Sequence, residues 1–326
     1  MSESERYGDP AVRESVAGRI AAEWGLELPD SFFRFLDFLA VLGPAEERAL
    51  RDVELAPYGV LDLFADPSAL PREGLDIRVH GRYYRDPPEF LTFLHGGSDG
   101  LHYGLWSDDG RTCDAVASYW TNDGDGITRR HGTPLEAVRA RIERARRDLA
   151  DHAADGEDVG ERLADLGRLR TALTGFETGE RTETGLAYSE AYDSRRLPVD
   201  PDRVTTLDEA GALVSGATAL GRPPHIGADE YRFGTFMEEL FQDAGALRAA
   251  RDEALRRAAA GDPAEALVLG RDLHWASYGE PDREEYAHEL LAVAYRELGR
   301  PALATTAAAH HRHRGLSQVD VLRRER

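Results

Sequence analysis

The side chains able to do chemistry are few and mostly isolated. His310-His311-Arg312-His313-Arg314 sets three imidazoles close together, a grouping that could hold a transition metal, but two guanidiniums stand among them and a solvated surface is the expected role. His288-Glu289 lacks the second histidine of a zinc-protease helix, because Ala292 stands where it would be. Asn122-Asp123-Gly124-Asp125-Gly126 is acidic but not spaced as a calcium loop, so it is predicted to be a hairpin turn. No metal and no cofactor are expected. Cys113 is the single cysteine, which excludes an internal disulfide and iron–sulfur clusters, and its small and apolar neighbours make it a buried thiol. All 40 basic residues are arginine, so there can be no P-loop lysine and no Schiff base. No G-x-S-x-G elbow and no G-x-G-x-x-G after a strand occurs, which leaves hydrolase and dehydrogenase chemistry without support.

The informative stretch is Leu75 to Gly104. It contains Arg82-Tyr83-Tyr84-Arg85-Asp86-Pro87-Pro88-Glu89-Phe90, in which the two prolines force an extended corner. Tyr83, Tyr84 and Phe90 are predicted to bury that corner against a sheet.

The elements that must position this corner follow from periodicity. Ala11 to Trp24 has apolar residues near helical spacing, and Pro29-Asp30-Ser31 precedes a second helix carrying Phe32, Phe33, Phe35, Leu36, Phe38 and Leu39, which must be core. Leu75 to His80 alternates, and Glu89 to His95, Leu101 to Trp106 and Ala115 to Trp120 are short apolar runs between Gly/Asp/Ser clusters; together these predict an antiparallel sheet. Thr133-Pro134-Leu135-Glu136 starts a charged helix running to about Ala153. Beyond it the spacing predicts a short strand over Gly185 to Tyr192, a turn at Arg196-Leu197-Pro198, and helices around 207–219, 229–259, 263–277, 283–298 and 301–313. Gly261-Asp262-Pro263 and Gly299-Arg300-Pro301 punctuate packed helices rather than mark a solenoid.

The fold class expected is α+β in two mixed domains: an N-terminal antiparallel sheet with helices over 1–155, and a helix-rich C-terminal domain over 156–326. The chain has 326 residues, 60 acidic against 40 basic, and a formal net charge of -20, so nucleic acid and anionic membranes are poor partners. Met1 to Pro10 has no apolar h-region and no later run approaches ~18 apolar residues. A cytoplasmic protein is expected.

The Arg-aromatic-aromatic-x-Asp-Pro-Pro-Glu-Phe string formed by Arg82, Tyr83, Tyr84, Asp86, Pro87, Pro88, Glu89 and Phe90 resembles the motif of the histone PARylation factor family, and the chain is identified as a bacterial-type member. The aromatic helix around Phe32, the turn at Ala56 to Leu61, Ser194 to Pro198 and the pattern from Gly261 to Gly279 continue the likeness over about residues 25 to 313. The resemblance implies a two-domain mixed α/β protein tied to ADP-ribosylation, whose eukaryotic members bind a poly(ADP-ribose) polymerase. Those members donate a glutamate that accepts the proton of an attacking serine hydroxyl.

In the family that glutamate precedes the position matching Gly261, and here Ala260 stands there. The resemblance assigns Arg195 and Asp262 to a partner-binding face, and leaves Glu253 and Asp252 as the carboxylates that could reach the same point from an earlier turn. The expected function is a noncatalytic, partner-binding or regulatory protein whose partner is an ADP-ribosyltransferase. Two alternatives stand beside it. The order of aromatic helix, turn and glycine-punctuated sheet is also similar to the SUKH immunity superfamily, for which an acidic surface would suit a basic toxin as partner. The other is an ADP-ribosylation enzyme with an unrecognised site.

Overall fold

The computed structural model describes residues 6–123, 126–177, 203–214, 222, 230–277 and 279–323. The fold is α+β, with an antiparallel five-stranded sheet in the N-terminal part and a helix-rich C-terminal part. The chain opens with α1 (Pro10–Trp24), started by Asp9, whose carboxylate accepts from Ala11 N at 2.8 Å, and by Pro10 at the first turn. Helices α2 (Asp30–Ala40) and α3 (Pro44–Asp52), strand β1 (Ala56–Pro57) and helix α4 (Val60–Ala65) follow.

Next come β2 (Phe90–His95), β3 (Leu101–Trp106), β4 (Ala115–Trp120) and β5 (Thr128–His131), giving the sheet order β1-β2-β3-β4-β5. The three apolar runs predicted as strands are β2, β3 and β4. Register pairs Phe90 with Trp106 and Gly104 with Ala117. The sheet is covered on both faces, which is why β3 is buried at every position. Leu91, Phe93, Tyr103, Leu105 and Val116 join the N-terminal core with the α2 phenylalanines, while Phe90, Trp106, Ala117 and Tyr119 pack together on the opposite face. Phe93 meets Phe32 and Phe35 edge-on, with ring centres 5.9 and 5.6 Å apart. Gly104 serves that opposite face, since a Cβ there would overlap the Phe90 ring.

Helix α5 (Pro134–Ala154) starts at Thr133, whose hydroxyl accepts from Glu136 N. Helix α6 (Gly160–Thr174), beyond the boundary predicted near 156, sends Leu166, Leu169 and Leu173 into the N-terminal core. Then come the hairpin β6 (Arg203–Val204) and β7 (Ala212–Leu213), and helices α7 (Glu230–Gln242), α8 (Ala244–Ala259), α9 (Ala264–Ala276), α10 (Pro281–Glu297) and α11 (Pro301–His313). These last helices surround a second core of which Leu267, Leu273, Leu290 and Tyr295 are members. After α11 the chain returns to the first half: Gly81 N donates to Val319 O and Arg72 N to Val321 O, both at 2.8 Å.

Three expectations need correction. Leu75 to His80 does not extend the sheet. Asp76 accepts from Arg78 N, folding Ile77–Val79 into a 3-10 turn that Gly81 closes at φ +71°, so the buried Ile77 and Val79 satisfy the same pattern without a strand. The helix expected over 207–219 is, as far as it is described, the β6–β7 turn, with Glu209 and Gly211 at positive φ and Asp208 accepting from Ala210 N. The long helix expected over 229–259 is broken at Asp243, which caps α8 by accepting from Gly245 N and Ala246 N. The strand and turn expected over Gly185 to Pro198 lie outside the described residues.

Candidate functional site

The Arg82 to Phe90 motif folds into a corner in which Arg82, Asp86 and Glu89 bond to groups within the protein. A diproline corner lacks N–H groups to pair its own carbonyls. Arg82 supplies them: Nη1 donates to Pro87 O at 2.8 Å and Asp86 O at 3.3 Å, and Nη2 to Phe90 O at 2.6 Å. Burial lowers the pKa of this guanidinium, and the nearby Asp86 partly offsets the effect. Asp86 is fully buried. Its Oδ2 accepts from Tyr83 N at 2.9 Å, and its Oδ1 faces His102 Nε2 at 2.8 Å and the Tyr119 hydroxyl. Phe90 is fully buried as well, and Tyr83 and Tyr84 are half-buried, with Tyr83 lying on His102 at 4.5 Å between ring centres.

The same corner ties the sheet to the C-terminal helices. From α9, His274 Nε2 donates to Asp86 O at 2.9 Å. Glu89 Oε1 accepts from the Tyr295 hydroxyl of α10 at 2.9 Å and lies 3.4 Å from Arg271 of α9. Arg271 is fixed in turn by Asp208 of the β6–β7 turn, with Nε to Oδ2 at 2.8 Å. Burial alone would lower the Arg271 pKa, but Asp208 and Glu89 outweigh it and hold the guanidinium more firmly charged than usual. Beside them, Asp272 accepts from Leu207 N and pairs with Arg222, yet burial pushes its carboxyl up to about 6. At the far end of β3, Asp108 accepts from Trp106 Nε1 and binds Arg203 in a two-pronged pair. Burial would raise Asp108, and Arg203 lowers it below the ordinary range. The His274–Asp86, Tyr295–Glu89, Arg271–Glu89 and Arg203–Asp108 contacts join the two halves, so the motif works here as a staple, with Arg82, Asp86 and Glu89 all committed to partners inside the fold.

A cleft of about 540 Å³ opens beside the corner. Tyr83 and Tyr84 line it with Arg82, His310, His313 and the segment from Arg314 to Asp320. The sequence predicts a solvated surface for the histidine cluster. The structure instead buries His310 and Arg314 and leaves His311, Arg312 and His313 at least partly exposed. Helical spacing was the available signal, because 310 and 314 share a face of α11 and its C-cap.

The carboxylates singled out in the sequence lie elsewhere, around the α8–α9 junction. Ala260 is the exposed C-cap residue of α8, and Gly261 turns the chain at φ +89° with open space where a side chain would point. Glu253 accepts from Arg256 Nε and Nη2, both at 2.7 Å, and from Arg257 Nε at 2.9 Å; these bonds hold its carboxyl down to about 2. Asp252 pairs with Arg251, which also holds Glu289. Asp262 lies 3.9 Å from Arg257, so Glu253 and Asp262 share one arginine, and Pro263 is the N-cap of α9, with no side-chain cap. Arg195 lies outside the described residues. Cys113 is buried, and burial pushes its thiol up to about 12. Among the described residues no group of three or more His, Cys, Asp or Glu could hold a metal, and no helix is long and apolar enough to cross a membrane.

The family Histone PARylation factor 1 matches residues 15–178. That range runs from within α1 to just past α6 and includes the diproline corner and the whole sheet. Among curated proteins, Histone PARylation factor 1 of Bos taurus is 23% identical over 322 residues, covering 93% of this chain and 88% of the relative. The Danio rerio protein of that name is 30% identical over 95 residues, 28% of this chain and 27% of its own length. The Mus musculus protein is 26% identical over 108 residues, 32% of this chain and 31% of its own length. The chain thus spans less than a third of the zebrafish and mouse relatives in those matches and most of the bovine one. Since the family match takes in half of its residues, this chain belongs to the Histone PARylation factor 1 family.

Proposed function

We propose that this protein is a noncatalytic, partner-binding member of its family, a regulator of ADP-ribosylation that docks on a poly(ADP-ribose) polymerase without donating a carboxylate. The relatives' name, histone PARylation factor, points to ADP-ribosylation as the reaction served. In that reaction a serine Oγ attacks the ribose carbon that carries nicotinamide, nicotinamide leaves, and a base takes the hydroxyl proton.

The observation that carries the proposal is the end of α8. Ala260, at the position that the resemblance gives to the donated glutamate, is exposed and offers only a methyl group. The acids one to two turns upstream on α8 are engaged: Glu253 by Arg256 and Arg257, and Asp252 by Arg251. A carboxylate held near pKa 2 by two guanidiniums is a poor proton acceptor. Asp262, 3.9 Å from Arg257, is the carboxylate assigned to docking.

The test is to add the full chain to a serine-modifying poly(ADP-ribose) polymerase with NAD and a histone peptide, and to map modified residues by mass spectrometry. Complex formation without serine transfer is expected. Robust serine transfer that disappears in Glu253→Ala would overturn the reading, as would failure of the two proteins to associate at micromolar concentration.

A further inference from the structure

The cleft beside the diproline corner collects positive charge inside a strongly acidic protein. Arg82 and Arg314 are both buried. Each spends its N–H groups on neutral acceptors. Arg314 Nε donates to Tyr84 O at 2.9 Å, Nη1 to Ser277 Oγ at 2.7 Å, and Nη2 to His274 O; Arg82 binds the corner carbonyls. Such bonds satisfy donors but leave the charge in place, and among the described residues neither guanidinium has a carboxylate partner in an ion pair. Asp86 for Arg82 and Glu284 for Arg314 offset that charge only in part, since burial still lowers both guanidinium pKa values; an entering anion relieves the remaining cost.

A second observation points to the same place. His310 lines the cleft at 2% exposure, and its Nδ1 is buried with no hydrogen-bond partner. Its ring lies 5.1 Å from that of His274. Both imidazoles titrate well below the usual range, chiefly through burial; Arg314 adds to this for His274, and His274 and Arg82 for His310. The one acid on the rim, Asp320, lies 3.6 Å from His80 Nδ1. The volume suits a molecule much larger than a bare anion, and Tyr58, Tyr83 and Tyr84 supply flat aromatic wall.

We propose that this cleft binds a small organic phosphate carrying a flat ring, the chemical class of a mononucleotide, with the phosphate toward Arg82 and Arg314 and the ring along the tyrosines. The site is separate from the docking face proposed above. Asp262 precedes the first turn of α9 and His274 lies in its last, so about 18 Å of helix stands between them. The cleft therefore stands or falls independently of polymerase binding.

Calorimetric titration of the full chain with AMP tests it, with adenosine and inorganic phosphate as the separate halves. AMP should bind saturably and at least roughly ten-fold more tightly than either half. Arg314→Gln should abolish binding. Because Arg314 also holds three segments together, Gln318→Glu is the decisive variant: it places a negative charge on an exposed cleft-lining residue and should weaken AMP by roughly three-fold or more at an unchanged Tm. Absence of saturable binding, adenosine binding as tightly as AMP, or AMP affinity unmoved by Gln318→Glu would each overturn the proposal.

Discussion

The Phe90 ring of β2 lies over Gly104 of β3 so closely that each constrains the other, and a paired substitution reads this directly. Phe90 is fully buried, its ring centre 5.0 Å from that of His102 and 5.9 Å from that of Tyr119. Phe90→Ala should destabilise by ~3–5 kcal/mol, the sum of lost transfer free energy and the cavity left under the corner. Gly104→Ala pushes a methyl group into the Phe90 ring, with ring atoms Cε1, Cδ1 and Cζ all closer than van der Waals contact. Overpacking of that kind costs ~1–3 kcal/mol. In the double variant the new methyl enters the space that the ring vacated. Its overpacking cost then disappears and part of the cavity fills, so the double variant should be more stable than the sum of the singles predicts by ~1–3 kcal/mol. Urea unfolding followed by circular dichroism, with midpoints compared at constant slope, measures all four proteins. Additivity within about 0.5 kcal/mol, or a Phe90→Ala loss below about 1 kcal/mol, would show that the corner does not pack on β3 as described.

Asp272 gives a pH signature. Its folded carboxyl is raised from the ordinary 3.8 to about 6, first by burial, so folding takes up a proton in that interval. Its contribution therefore favours the fold below about pH 4 and is lost as pH rises toward 6; Asp272→Asn should remove roughly 1–3 kcal/mol of that slope, as checked by urea midpoints across pH 4–6.5. Cys113, with its thiol pushed up to about 12 by burial, should react with a disulfide reagent only as fast as the N-terminal core opens. Rapid labelling under native conditions would contradict its burial.

Local pattern carried much of the N-terminal half. The α2 phenylalanines, the three apolar runs between glycine clusters and the Thr133 cap are short-range signals, and each became the expected element. The spacing of Leu75, Ile77 and Val79 did not discriminate, because a strand and a capped 3-10 turn bury the same residues; the deciding Asp76 to Arg78 bond is a side-chain effect. The β6–β7 turn was missed for a similar reason, since Glu209 at positive φ is not what its residue type favours. Least legible was what the motif touches. Asp86 meets His274, Glu89 meets Tyr295, and Asp108 meets Arg203 across 188, 206 and 95 positions, distances over which periodicity carries no information. Resemblance located the motif, and only the three-dimensional contacts revealed its polar groups as an inter-half staple and the adjoining histidine cluster as a cleft wall.

The decisive measurement restores a carboxylate where α8 ends. Ala260 is exposed, and the adjacent Gly261 leaves open space, so Ala260→Glu can be accommodated without repacking. General-base assistance contributes ~10²–10⁴-fold. Quantitative mass spectrometry of a histone peptide incubated with polymerase, NAD and either form of this protein should therefore show serine transfer at background with the natural chain and a rise of at least roughly 10²-fold with Ala260→Glu. Strong serine transfer by the natural chain, or no gain from Ala260→Glu while it still binds the polymerase, would contradict the noncatalytic reading.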